Sequence, residues 1–213
     1  MTFTKSKRLA VIAVAVVAAV IIADQFMKFW IKTHFYLGED YEIFSWFHLR
    51  FIQNNGMAFG FEFGSKLLLT LFRIILVCFL CWYMNWLVKK AKVSCGYMIS
   101  VALVAAGALG NIIDCVAYGE IFTNPAPPHV AMLVPWGEGY GTLFHGLVVD
   151  MLYFPLFSFT WPEWLPWLGG QDFSFFDPVF NIADAAITVG MFMIILFYSK
   201  YLSFEEGEKP KKV

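Results

Sequence analysis

Four apolar runs, each long enough to cross a bilayer, constrain this chain more than any other feature of its sequence. A span needs about 20 predominantly apolar residues, and such runs cover residues 9–30, 67–88, 97–117 and 179–201. A segment alone in lipid must satisfy its own backbone, so each run is expected to be a helix. Composition agrees. Of the 213 residues 60% are hydrophobic and 15% charged, too few polar side chains to cover a soluble globule. The formal net charge of -1 says little about partners; the placement of the charges says more. Lys5, Lys7 and Arg8 precede the first run, Lys89, Lys90 and Lys92 fill the turn between the second and third, and Lys209, Lys211 and Lys212 follow the fourth. Residues 118–178 contain no Lys or Arg. The positive-inside rule then puts both termini and the middle turn in the cytoplasm and loops 31–66 and 118–178 outside.

Several local features fit that frame. The N-terminal run imitates a secretory signal, but it is longer than a usual h-region and carries Asp24, Gln25 and Lys28 at its outer end, so a retained span is expected. Cys78 and Cys81 form a C-x-x-C inside an apolar helix, which reads as packing rather than metal or redox chemistry. Residues 41–63 alternate loosely around an Asn-Asn-Gly turn signal, predicting short strands on the outer face. The second loop carries "TNPAPPH" and "PWGEGYG", too rich in Pro and Gly for regular structure, then Trp161, Trp164 and Trp167, which suit the headgroup layer. No internal repeat is evident, which argues against an inverted-repeat transporter.

Polar residues within the runs share one depth. Asp24 and Lys28 lie one turn apart near the outer end of the first span, Asn111 and Asp114 near that of the third, and Asn181 and Asp184 near that of the fourth. Asp150 closes the apolar stretch "LFHGLVVD" in the outer loop. One such residue is an ordinary helix-end hydrogen-bonding group. A whole set at one level, where a carboxylate at mid-span costs about 2.5–3.5 kcal/mol on insertion scales, points to function. All four histidines, His34, His48, His129 and His145, fall in the outer loops, and no nucleophilic Ser has a matching context. A metal site usually wants His or Cys beside the carboxylates. Carboxylates alone remain. A close pair shares a proton and can activate water against a carbonyl, as in aspartic proteases, or relay protons in a transporter. Spacing does not choose between the two.

Five motifs in order are more specific. "DQFMKF" from Asp24, "NNGMAF" from Asn54, "GALGNIID" from Gly107, "VVDM" around Asp150 and "FNIAD" ending at Asp184 resemble the elements of the lipoprotein signal peptidases, the type II signal peptidases of bacterial inner membranes. The likeness covers nearly the whole chain. It implies an all-α membrane protein: a four-transmembrane-helix bundle with small β elements and a lid-like loop on the outer, periplasmic face, forming one domain over residues 1–213. It implies Asp150 and Asp184 as catalytic aspartates. Asn54, Gly56, Asn111 and Asn181 become site-lining positions, Asp24 and Lys28 a supporting pair, and Asp114 a motif Asp outside the dyad. The implied substrates are diacylglyceryl-modified prolipoproteins, cleaved just before the lipidated cysteine by a monomer near the outer leaflet. Membrane lipids are the other expected partners, and neither cofactor, metal nor nucleic acid is expected.

Two departures stand out. Where the family usually has Arg after G-N-x-x-D, this chain has Cys115, and the stretch between Asp114 and Asp150 is longer than usual. The extra segment is expected to elaborate the lid and to gate access over 119–146. The alternatives are a proton-coupled transporter using the same carboxylates and a non-catalytic membrane scaffold. The wholly apolar inner halves of spans one, three and four disfavour the transporter.

Overall fold

Each apolar run is helical in the structure, a computed structural model that describes residues 2–54 and 66–201. Helix α1 (Thr2–His34) leads into strands β1 (Asp40–Phe44) and β2 (Phe47–Asn54), followed by α2 (Lys66–Lys90) and α3 (Cys95–Ile113). A π-helical turn (Asp114–Tyr118) and the single turn α4 (Gly119–Ile121) extend α3. Strands β3 (Val148–Tyr153), β4 (Phe157–Thr160) and β5 (Asp172–Phe175) precede the last helix, α5 (Ile182–Phe197), and a closing 3-10 turn (Ser199–Tyr201). Three helical stretches, Thr4–His34, Lys66–Lys90 and Cys95–Ile121, are long and apolar enough to cross a membrane. Helix α5 is equally apolar but has 16 residues, which cover about 24 Å of a hydrocarbon core about 30 Å thick.

Helix α3 is the hub, packing against α1, α2 and α5. Its small residues permit this: Ala102, Ala105, Ala106 and Gly107 are buried, and a Cβ on Gly107 would lie 2.2 Å from the Ala183 carbonyl of α5. Close backbone approach through small residues is the usual way helices associate in lipid, where apolar burial gives no drive. The outward faces are built for lipid. Val11, Val14, Ile22 and Phe26 of α1, Ile75 of α2 and Leu196 and Phe197 of α5 are all more than 60% exposed, a pattern that would aggregate in water.

The helices close at one end on Leu9, Leu87, Val93, Tyr97, Met98 and Val101. Ser94 caps α3 there, its hydroxyl accepting the Tyr97 amide at 3.2 Å. At the other end lies an antiparallel sheet in the order β1–β2–β3. One face of it buries Leu49, Phe51, Val149 and Met151 against Ile31 of α1, against Phe35 just past its end, and against Tyr118 and Phe122. Side chains alternate across a strand, so Asp150 points to the opposite face, toward α5. Strands β4 and β5 form a separate hairpin.

One boundary differs from the sequence expectation. Asn181 is not inside the last helix. It is the N-cap, with extended backbone, because Phe180 is held by β3 through hydrogen bonds to Met151 and Leu152. The Trp-rich segment lies between β4 and β5 as a series of turns with Trp164 and Trp167 exposed.

Candidate active site

The N-terminus of α5 organises the site. The first turn of a helix has backbone N–H groups with no intrahelical acceptor. Here Asn181 Oδ1 accepts the Asp184 amide at 2.8 Å, and Asp24 Oδ1, arriving from α1, accepts the Ala183 amide at 2.9 Å. These two caps fix where Asp184 sits and tie α5 to α1.

Behind them lies a buried ionic core. Lys28 Nζ contacts Asp24 Oδ2 at 2.9 Å and Asp114 Oδ2 at 2.8 Å, all three side chains being fully buried. Its third donor reaches Asn111 Oδ1 at 2.8 Å. Gln25 Nε2 donates to Asp114 Oδ1 at 2.9 Å and to the Gly110 carbonyl, while Tyr118 Oη donates to Gln25 Oε1. Asp114 also accepts the Val149 amide at 3.2 Å, which joins the core to β3. Asp114 therefore serves the scaffold.

Two asparagine amides carry this core forward to two carboxylates. Asn111 Nδ2 donates to Asp184 Oδ1 at 2.8 Å, and Asn181 Nδ2 donates to Asp150 Oδ1 at 2.7 Å. The two amides also meet, Asn181 Nδ2 lying 3.1 Å from Asn111 Oδ1. Asn54, diagonal to Asp150 across the β2–β3 ladder, donates to Asp150 Oδ2. Every polar site residue predicted from sequence that the structure describes is thus in one network: Asp24, Lys28, Asn54, Asn111, Asp114, Asp150, Asn181 and Asp184. Gly56 lies outside the described residues.

The two carboxylates differ. Asp150 is 1% exposed, whereas Asp184 is only half-buried. Burial, and then the charge on Asp184, push the Asp150 carboxyl up to about 8, against a smaller downward pull from its hydrogen bond with Asn181. The raised carboxyl on β3 and the more accessible Asp184 on α5 share one network, an arrangement suited to general acid–base chemistry. Among the described residues, no group of three His, Cys, Asp or Glu side chains is placed to hold a metal ion.

Sequence reasoning passed over α2. Its polar residues Lys66, Thr70 and Arg73 recur at helical spacing, and Arg73 Nη1 reaches Cys115 Sγ at 3.6 Å. The signal was an arginine within a span. Gln25 was noticed as polar but given no role, and the fully buried Lys32 was not noticed at all.

The signal peptidase (SPase) II family matches residues 16–200 of this chain. The chain is 42% identical over 192 residues to the lipoprotein signal peptidase of Porphyromonas gingivalis, covering 90% of this chain and 84% of that protein. It is 37% identical over 182 residues to the lipoprotein signal peptidase of Amoebophilus asiaticus, covering 83% and 72% respectively. Its fold is similar to that of a bacterial membrane enzyme solved at 2.3 Å by the in meso method, with a TM-score of 0.60 and 25% identity over 94% of this chain and 93% of that one. With its apolar helices, its ordered motifs and this breadth of similarity, the chain belongs to the signal peptidase II family of membrane proteases.

Proposed function

We propose that this chain cleaves diacylglyceryl-modified prolipoproteins just before the lipidated cysteine, using Asp150 and Asp184 as an aspartic dyad. The observation that carries this reading is the pair itself. The two carboxylates reach one network from different elements, and burial together with the charge on Asp184 raises the Asp150 carboxyl to about 8.

Asp184, capped at the head of α5, takes a proton from water, and that water oxygen attacks the scissile carbonyl carbon. Asp150 gives its proton to the carbonyl oxygen, which yields a neutral gem-diol. Collapse returns a diol proton to Asp150, while Asp184 hands its new proton to the departing cysteine nitrogen as the C–N bond breaks. Asn111 and Asn181 hold one oxygen of each carboxylate, leaving the other oxygen of Asp184 for water. No cofactor enters this cycle.

The same proposal sets the protein in the bacterial inner membrane with both termini cytoplasmic and the dyad near the outer leaflet, where a diacylglyceryl-anchored cysteine waits. The monomer suffices, because all the proposed groups come from one chain. The 119–146 segment acts as the lid. It is anchored to the body by the Gly146 amide on the Cys115 carbonyl and the Ala131 amide on the Lys32 carbonyl, and braced internally by the Gly141 amide on the Gly119 carbonyl. The transporter alternative is disfavoured by the apolar cluster from Leu9 to Val101, which seals the helices at the end away from the dyad.

The test is a mass measurement. Purified protein incubated with a lipidated precursor should release the signal peptide and leave a mature protein beginning at the modified cysteine. An intact lipidated precursor, or equal cleavage of an unlipidated one, refutes the reading.

A further inference from the structure

Helix α2 was expected to be a plain apolar span, yet one of its faces changes character along its length. Lys66, Thr70, Arg73 and Val77 follow at steps of four, three and four, so they share a face. Val77 packs on Ala108 and Ile112 of α3. One turn toward the start of α2, the same face presents the Arg73 guanidinium to buried Cys115. One turn further, buried Thr70 spends its hydroxyl proton within the protein, on the Lys66 carbonyl at 3.0 Å or the Phe144 carbonyl at 3.3 Å. At the helix start, Lys66 Nζ is buried with no hydrogen-bond partner among the described residues. Charged groups at membrane depth are costly, and they persist where they serve a bundle interior.

This face meets α3 one turn beyond Asn111. Cys115 lies four residues after Asn111, whose amide holds Asp184, and the Cys115 carbonyl accepts the Gly146 amide of the segment running into the Asp150 strand. Cys115 also occupies the position where the resemblance puts an arginine. A guanidinium thus reaches that position from α2 instead of from α3. A guanidinium carries five N–H donors in a planar fork, so contact with one thiol does not exhaust its capacity for an amide or ester carbonyl oxygen.

We propose that Arg73, with Lys66 two turns before it on the same face, forms a carbonyl-binding strip that positions the substrate next to the dyad. The proposal rests on the peptidase reading. The carbonyl oxygens belong either to the peptide backbone flanking the cleavage site or to the acyl esters of its diacylglyceryl group. Arg73 is a positioning residue: it acts on binding and leaves proton transfer to the aspartates.

The experiment measures KM and kcat for the full-length protein and its variants on a diacylglyceryl-modified precursor. R73Q should raise KM roughly tenfold, about 1.4 kcal/mol of binding, with kcat within about threefold, and R73K should fall between R73Q and the unaltered protein because an ammonium lacks the planar fork. C115R introduced into R73Q should restore KM, since it returns a guanidinium to the same place from the other helix. If R73Q does not fold, R73K and the R73Q/C115R pair carry the comparison. An unchanged KM in R73Q or R73K, or a KM defect that C115R leaves in place, overturns the proposal. A precursor with a dialkylglyceryl group distinguishes the sources: the R73Q defect persists if peptide carbonyls are bound and disappears if ester carbonyls are. Loss of cleavage by the unaltered protein would instead refute the peptidase reading itself.

Discussion

Replacing Lys28 by methionine tests the ionic core that holds the site. Met matches the length of the lysine stem but removes the ammonium, leaving Asp24 and Asp114 buried with no counter-ion. At 2.8–2.9 Å each pair carries about 6 kcal/mol of attraction at an effective dielectric near 20. Desolvation of three fully buried charged groups offsets most of that, so the intact triad is worth little net. Breaking it is a different matter. Stranding one partner of a buried pair typically costs about 3–5 kcal/mol. For a chain of this size each kcal/mol moves the unfolding midpoint by about 2–4 °C, which places K28M about 6–20 °C below the unaltered protein. The triple variant D24N/K28M/D114N removes the stranded charges and keeps oxygens that can accept the Ala183 and Val149 amides. It should regain most of the loss. The assay is thermal unfolding in detergent micelles, with lipoprotein processing measured in parallel; K28M should also lose activity, because Lys28 orients Asn111 toward Asp184. A K28M midpoint within about 3 °C of the unaltered protein, or a triple variant less stable than K28M, would refute the reasoning.

Three further outcomes follow from other parts of the structure. The Asp150 carboxyl, raised from 3.8 to about 8, holds a proton in the folded state that the unfolded chain has released, so its contribution to stability should decline as pH rises across that window. Processing should fall on the alkaline side of about pH 8 as this acid is lost, and a kcat/KM profile still flat at pH 9 would contradict the assignment. Lys32 Nζ is buried without a hydrogen-bond partner among the described residues, ringed by Phe51, Phe122 and Tyr140 at 5.0–5.9 Å from their centroids. K32M should therefore be neutral or stabilising by about 1–4 kcal/mol, and a lower melting temperature would show that these cation–π contacts outweigh desolvation. Finally, G107A forces a Cβ toward the Ala183 carbonyl beside Asp184. Overpacking of this kind costs about 1–3 kcal/mol, and processing should drop more than tenfold while the protein still inserts; unchanged activity would mean α5 shifts freely against α3.

The apolar spans were legible because length and hydropathy are local properties. What sequence alone could not supply came from contacts distant in the chain. Asn181 reads as an interior helix residue while its neighbours are all apolar; pairing of Phe180 with Leu152 makes it a cap and shortens the expected 179–201 span to Ile182–Phe197. Asp150 stood in an irregular outer loop, and its strand exists through pairing with β2. The residues that the depth argument grouped, Asp24, Lys28, Asn111, Asp114, Asn181 and Asp184, meet in one network. It could not separate structural Asp114 from proposed catalytic Asp150, because that difference lies in which carboxylate faces Lys28 and which faces the amides. Arg73 was visible as a charge within a span, but its placement against Cys115 depends on how α2 packs on α3.

The central claim is that Asp150 and Asp184 perform the hydrolysis together. Single substitutions to asparagine preserve shape and most hydrogen bonds while removing the shared proton's partners. Mass spectrometry of a diacylglyceryl-modified precursor after incubation with purified D150N or D184N should show the intact precursor alone, from protein that unfolds at or near the usual temperature. Release of the signal peptide by either folded variant at a rate near that of the unaltered enzyme would contradict the account.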